Sequence, residues 1–338
     1  MLEIDGSHDE GGGQILRTCL GLSAFTGKAF KIINIRSKRK NPGLKAQHLE
    51  AVNSVAKLCN AEVVGNKLHS QELTFKPGQI KSGRLNINIP TAGSCGLVLQ
   101  ALMIPAFLTT VKIKIEGGAT YGKWAPPIDN QANILFPLLR KMGYDIELLN
   151  VKDGFYPKGG ALVEVQIKKS ELKPIELLEK GKLKVVKGIS VASSNLEKAN
   201  VAVRQAKAAR KELSSIFDCP IKLEAFYRDS VCPGTGITLW VETENSVIGA
   251  DSLGEQGKKS EQVGKEAAKT LIKEYSKGVV DSYTADQLLP YFAIAGFGKL
   301  KTSKITGHIR TNAFIIEKFL KVKFNINEEE AIVECKSY

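Results

Sequence analysis

Apolar and polar positions follow two different periods along this chain. Segments with an apolar residue at every second position, such as VKIKIEG at 111–117, predict β-strands. Other segments have apolar residues three and four positions apart, which places Ile134, Leu135, Leu138 and Leu139 on one face of a helix. The two periods alternate along the sequence, and we therefore predict an α/β protein.

The same order of elements recurs three times along the chain. A helix that begins with small residues is followed by a strand, a second helix and another strand. The first helices of the three copies are GGGQILRTCLGLSAF, GSCGLVLQALMIPAF and TADQLLPYFAIAG. We predict three repeated units, each of which packs two helices on a small sheet.

Residues 181–273 depart from this repeat. The segment predicts a strand, a basic helix over about 196–216 and three short strands. We interpret it as a smaller α/β domain inserted between the second and third units, with residues 1–180 and 274–338 forming the main domain. The length of 338 residues agrees with this division, because it exceeds what one hydrophobic core usually supports.

The charge of the chain favours polyanionic partners. The 48 Lys and Arg outnumber the 35 Asp and Glu, which gives a formal net charge of +13. The alternative is a lysine-rich solvated surface.

No apolar run approaches the ~20 residues of a membrane helix, and the N-terminus has no apolar signal region, so we predict a cytoplasmic protein without membrane contact. Cys335 is expected to be exposed, where a disulfide between copies would join a homo-oligomer.

Two segments near the N-terminus suit phosphate binding. In EGGGQILR, three glycines before a helix leave N–H groups free for an anion, and Glu10 can hold Mg²⁺; the alternative is a flexible turn with a capping acid. In IRSKRKNPGLKAQH, a basic loop leads into a helix, and it is either a phosphate clamp or a solvated turn. We interpret His48, on that helix, as a structural histidine.

Three further segments carry candidate chemistry. Gln100 lies two turns into the helix of AGSCGLVLQ, where it faces a ligand or solvent. In YTADQ, the ring of Tyr283 can stack on a base; the alternative is an acidic first helical turn. His308 follows a glycine at a helix start, which suits either a nucleophile or a surface or capping histidine.

Taken in order, these segments resemble one family, the RNA 3′-terminal phosphate cyclases. The resemblance covers essentially the whole chain and rests on EGGGQILR, IRSKRKNPGLKAQHL, AGSCGLVLQ, APP at 125–127, GFYPKGGA at 154–161, YTADQL and HIRTNAFIIEKFL. One departure is Ala161, where the family often has another glycine. The fold of the family, three helix–strand units with an inserted small α/β domain, agrees with the repeat described above.

The resemblance implies an ATP-dependent ligase that converts an RNA 3′-phosphate into a 2′,3′-cyclic phosphodiester. His308 matches the nucleophile that becomes adenylated, and AMP then passes to the RNA to give an RNA(3′)pp(5′)A end. The helix start would help hold the α-phosphate and keep the imidazole neutral. Glu10 matches the residue associated with Mg²⁺ or Mn²⁺. The remaining matches are the phosphate and RNA contacts Arg17, Arg36, Arg39 and Gln47, and the nucleotide contacts Gln100, Pro127, Tyr283, Thr284, Ala285, Asp286 and Gln287.

Two alternatives belong to other classes of protein. One is the non-catalytic, RNA-binding ribosome-assembly branch of the same fold, which lacks the nucleophilic histidine. The other is a transferase of the enolpyruvyl type, which shares repeated helix–sheet units. Because the chain carries both His308 and YTADQ, we favour the cyclase.

Overall fold

The computed structural model describes residues 1–9 and 12–338, and its first unit is a four-stranded sheet with two helices. Its elements are β1 (Leu2–Asp5), α1 (Gly13–Thr26), β2 (Phe30–Ile33), α2 (Ala46–Cys59), β3 (Glu62–Val64) and β4 (Leu73–Lys76). The strand order is β1-β2-β4-β3, in which only β1 and β2 run parallel. A parallel pair needs a crossover connection, and α1 supplies it.

The second unit repeats this topology. Its elements are β5 (Gly83–Ser94), α3 (Cys95–Ala106), β6 (Val111–Ala119), α4 (Ile128–Asn130), a π-helical turn (Gln131–Leu135), α5 (Phe136–Lys141), β7 (Ile146–Lys152) and β8 (Leu162–Ile167). The strand order is β5-β6-β8-β7, and again only the first pair is parallel. The helix predicted around Leu135 is therefore present, but its middle turn is π-helical.

The third unit is interrupted by an additional sheet. Its first strand is β9 (Ile175–Leu177), after which come β10 (Leu183–Ser193), α6 (Val201–Leu213), β11 (Ile221–Arg228), β12 (Thr235–Thr243), β13 (Val247–Leu253) and α7 (Ser260–Lys277). The unit then resumes with α8 (Ser282–Ile294), β14 (Phe297–Lys301), α9 (Gly307–Phe319), β15 (Val322–Asn327) and β16 (Ile332–Ser337). Its strand order is β15-β16-β14-β9, with β9 and β14 parallel.

The pairing of β9 with β14 corrects the expected position of the insertion. The extra sheet, in the order β11-β10-β12-β13, begins after the first strand of the third unit and not between two complete units. With α6 and α7 it encloses a separate apolar cluster that includes Leu213, Leu239 and Leu271. The domain boundaries at residues 181 and 273 stay a prediction, and α7 continues through residue 273.

The fold class predicted from the repeat is confirmed, although each unit has four strands where the sequence indicated two. A single apolar cluster draws on all three units and on the helices between their sheets. The expected exposure of Cys335 is wrong, because β16 turns Val333 and Cys335 to the core and both are fully buried. Among residues 1–9 and 12–338, no helix is long and apolar enough to cross a membrane.

Candidate active site

The starts of α1, α3, α8 and α9 meet at a cleft of about 960 Å³. The basic loop before α2, the edge of β13 and the loop 122–126 complete its walls. The cleft brings together nine of the residues expected from the sequence: Arg17, Arg36, Arg39, Gln47, Gln100, Tyr283, Asp286, Gln287 and His308. Glu10 lies outside the described residues.

His308 occupies the first turn of α9 at one wall of this cleft. The helix starts there because the Thr306 hydroxyl accepts a hydrogen bond from the Ile309 N–H at 3.2 Å, as an N-cap residue does. The Gln14 amide of α1 donates to the His308 carbonyl at 3.5 Å. The half-buried imidazole therefore lies at the positive end of a helix dipole, next to the glycine-rich start of α1.

A buried amide holds three of the helices around His308 in register. The Asn312 side chain of α9 accepts from the Thr18 hydroxyl of α1 at 2.8 Å. It also donates to the Asp286 carbonyl of α8 at 2.8 Å. Because all three residues are buried, the geometry of these helix starts depends on this network.

The part of the cleft formed by α1 and the basic loop before α2 is cationic. The half-buried Arg17 lies near Asp286, and burial lowers the pKa of Arg17 to about 10 although Asp286 opposes the shift. Arg17 therefore remains charged at neutral pH. The Arg36 guanidinium donates to the carbonyls of Asn41 and Gly43, both at 2.8 Å, and so holds the basic loop in its turn. Burial and the charge of Arg39 lower the pKa of Arg36.

His48 is buried beneath these cations on α2, as expected of a structural histidine. Its Nδ1 accepts a hydrogen bond from the Lys45 N–H at 3.1 Å. Burial, together with the charges of Arg17, Arg36 and Lys45, lowers the pKa of His48 to about 3. The imidazole is thus neutral at physiological pH. A Cβ on Gly13 would lie 2.3 Å from its Nε2, so α1 starts this close to α2 only with glycine.

The helix starts of α3 and α8 form the third wall. Ser94 caps α3 by accepting from the Leu97 N–H at 3.2 Å, and Asp281 caps α8 by accepting from the Thr284 N–H at 2.8 Å. Between the two helices, the Gln100 amide donates to the Gln287 Oε1 at 2.6 Å. Tyr283 precedes this pair on the rim with 64% of its surface exposed.

Three of the expected nucleotide contacts do not line the cleft. Thr284 and Ala285 are fully buried on the core side of α8, because only Tyr283, Asp286 and Gln287 of that helical turn face the opening. Pro127 is buried at the start of α4, and its half-buried neighbour Pro126 lines the cleft instead.

Asn130, Asp251 and Trp124 also line the cleft, although no sequence motif pointed to them. Asp251 lies on β13 of the extra sheet, and its carboxylate accepts from the Asn130 amide at 3.2 Å. Burial and the nearby Asp281 raise the pKa of Asp251 to about 7. No local motif marks these residues, since they meet only when the extra sheet packs on the second unit. Within the described part of the chain, no group of three or more His, Cys, Asp or Glu could hold a metal ion.

A cleft that combines a histidine at a helix start with several arginines is typical of an enzyme site for phosphate-bearing ligands. The family described as RNA 3′-terminal phosphate cyclase matches residues 8–326. The chain is 46% identical to a protein of that name from Pyrococcus furiosus, covering 96% of this chain and 95% of the relative. The corresponding protein of Methanopyrus kandleri is 42% identical, with 98% and 96% covered. The chain belongs to the RNA 3′-terminal phosphate cyclase family.

A solved structure of an EPSP synthase from Acinetobacter baumannii matches 62% of this chain and 54% of its own, at 10% identity and a TM-score of 0.22. This likeness is too low to carry an argument about fold or function.

Proposed function

We propose that the protein is an ATP-dependent RNA 3′-terminal phosphate cyclase that works through a covalent histidyl-AMP. A ring nitrogen of His308 attacks the α-phosphorus of ATP, and the bond to pyrophosphate breaks. A 3′-phosphate oxygen of the RNA then takes the AMP and frees His308. Finally the ribose 2′-OH attacks the activated phosphorus, loses its proton and expels AMP, which closes the ring. Attack within one ribose benefits from proximity.

One observation carries this proposal: His308 lies at a helix start in the same cleft as Arg17, Arg36 and Arg39. The helix start and the arginines can stabilise the charge that develops on the α-phosphate during transfer. The side-chain amides of Gln100 and Gln287 are hydrogen-bonded to each other between α3 and α8, and they can bind the nucleotide there.

The adenine pocket combines an aromatic ring, an acidic residue and a proline. Tyr283 is exposed at the rim and can stack on a base, and Asp286 lies one helical turn further on. Pro126 takes the role expected of Pro127, because Pro126 is the proline that lines the cleft. Thr284 and Ala285 are fully buried, which favours a role in supporting α8.

A requirement for Mg²⁺ or Mn²⁺ remains a proposal based on Glu10, which is outside the described residues. The described residues do not form a metal cage by themselves. Mg²⁺ commonly binds one or two carboxylates together with substrate phosphates. A single acidic residue such as Glu10 would therefore be enough to bind the metal once ATP is present.

The test is transfer of label from ATP labelled at the α-phosphate. We expect an acid-labile, alkali-stable label on the wild type and none on His308→Asn, because the nucleophile is gone. His69→Asn is the matched control, since His69 is exposed and does not line the cleft. Label that persists on His308→Asn, or is lost equally from His69→Asn, would contradict the assignment of His308.

A second measurement separates the enzyme from an RNA-binding protein of the same fold. An RNA oligonucleotide with a 3′-phosphate is incubated with the wild type, with and without ATP. We expect a cyclic end only with ATP. Binding of the oligonucleotide without cyclisation, over a range of metal ions, would favour the non-catalytic alternative.

A further inference from the structure

Two aromatic side chains stand out from the surface beside the cleft. Trp124 is 95% exposed and Tyr156 is 76% exposed. Single exposed apolar residues are common and require no explanation, but an aromatic ring offers 150–250 Å² of surface for burial. Trp124 also lines the cleft that contains His308, so its exposure concerns the candidate active site directly.

The two rings belong to loops that start side by side. Tyr121 and Phe155 form an isolated parallel bridge, and their ring centroids lie 6.1 Å apart. Trp124 follows three residues after Tyr121, and Tyr156 directly follows Phe155. Since an extended chain advances about 3.5 Å per residue, the two exposed residues are within roughly 20 Å of each other. This separation is short enough for one segment of single-stranded RNA to reach both rings, and Trp124 is the one that lines the cleft.

The backbone holds Trp124 outward at a cost. Its φ of 59° lies in the left-handed region, which is an outlier for a bulky residue and recurs at functional sites. The adjacent Lys123 forms an exposed ion pair at 3.2 Å with Glu255, in the loop that follows the extra sheet. Because the ring is exposed, it contributes little packing to offset the cost of this left-handed backbone conformation.

Positive charge accompanies both rings. Lys123 adjoins Trp124, and the exposed Lys158 follows two residues after Tyr156. Inside the cleft, Arg39 and Lys40 continue the same polarity. Proteins that bind single-stranded nucleic acid combine a positive groove with aromatic rings on which successive bases stack.

We propose that Trp124 and Tyr156 form a stacking platform for the 3′-terminal bases of the RNA substrate, with Trp124 nearest the cleft. The inference rests on the proposed function and identifies how that site holds its polynucleotide. Every base presents a π-face, so the platform accepts any terminal sequence while the arginines hold the terminal phosphate. A single-stranded 3′ end is required, because paired bases are not free to stack on side chains.

The experiment compares Trp124→Ala, Trp124→Phe and Tyr156→Ala in cyclisation of an RNA oligonucleotide with a 3′-phosphate. We expect KM for the RNA to rise about tenfold in Trp124→Ala and Tyr156→Ala, and Trp124→Phe to recover most of the loss. Self-adenylation with ATP alone should be unchanged in Tyr156→Ala, because Tyr156 does not line the cleft. Tyr338→Ala is the matched control, because Tyr338 is 82% exposed at the far C-terminus and should not affect KM.

Tryptophan fluorescence gives an independent readout. The chain has two tryptophans, and Trp240 is buried with 5% of its surface exposed, so a fluorescence change on RNA binding reports on Trp124. RNA without ATP should quench the wild type and leave Trp124→Phe unchanged. Quenching by ATP alone, together with weaker self-adenylation in Trp124→Ala, would assign the ring to the nucleotide and overturn the platform. An unchanged KM in Trp124→Ala would also overturn it. If the wild type neither labels nor cyclises, the proposed function itself has failed.

Discussion

Burial and neighbouring charges hold single side chains of the cleft in fixed charge states. Arg17 stays protonated, because a pKa of about 10 is still well above neutrality. Burial, added to the charges of Arg17, Arg36 and Lys45, keeps His48 neutral, with a pKa of about 3. A cleft with permanent cations and no competing imidazolium beneath them suits a ligand rich in phosphate.

The neutral state of His48 predicts how stability changes with pH. An unfolded histidine takes up a proton below about pH 6.5, whereas folded His48 does so only near pH 3. The unfolded state thus binds more protons between these values, and the wild type loses stability as pH falls. Relative to His48→Asn, which keeps an acceptor for the Lys45 N–H, we expect a loss of about 2 kcal/mol from pH 7 to pH 5.

Proton NMR checks the cause of that loss directly. The chain has four histidines, and the signal absent from His48→Asn identifies His48. We expect this signal to stay constant between pH 8 and pH 5. A titration with a midpoint near the ordinary histidine value would show that the cations and burial do not act as described.

At the scale of helices and strands, the sequence predicted the helices well and the strands incompletely. Helices such as α2 and α9 carry an apolar stripe over 13 or 14 residues, which is a long enough signal to recognise. Two strands of each unit were not predicted. β1, β4 and β9 have only three or four residues each, and such short strands show hardly one alternation. β5, β8 and β16 are longer, with 12, six and six residues, so length does not explain why they were missed.

The close packing of α1 against α2 gives a prediction at this scale. Gly13 begins α1, and a Cβ there would meet His48 Nε2 at 2.3 Å and Arg17 Nη1 at 3.1 Å. Gly13→Ala should therefore displace both side chains and reduce self-adenylation, by up to about 100-fold for a shift near 1 Å. The measurement is the initial rate of labelling from ATP.

Gly122 supplies the control for this substitution. It lines the same cleft, but a Cβ at this position would have no heavy atom within 4 Å. Gly122→Ala should label at nearly the wild-type rate. Equal rates for both alanine variants would mean that the spacing of α1 and α2 does not set the geometry of the site.

At the scale of the whole molecule, the cleft is completed by a sheet that interrupts the third unit. Motifs in α1, α2, α8 and α9 allowed much of the cleft to be predicted, because their residues are adjacent in sequence. Asp251 and Gly249 were not predictable, since they reach the cleft only through packing of β13. The Asp281 carboxylate fixes that contact by accepting from the Gly249 N–H at 3.0 Å while it caps α8.

A second contact between the extra sheet and the second unit yields a prediction for the stability of the whole protein. Arg228 of β11 pairs with Asp153 at 2.8 Å, and Asp153 is fully buried. Arg228→Ala leaves that carboxylate without its charge partner and should cost about 3–5 kcal/mol in calorimetric unfolding. Adding Asp153→Asn should recover part of the loss, because the unpaired charge is removed.

The exposed pair of Arg204 and Glu261, at 2.7 Å, is the control, and Arg204→Ala should cost at most about 1 kcal/mol. If Arg228→Ala were as mild as Arg204→Ala, the buried pair would not be a main contact between the extra sheet and the second unit.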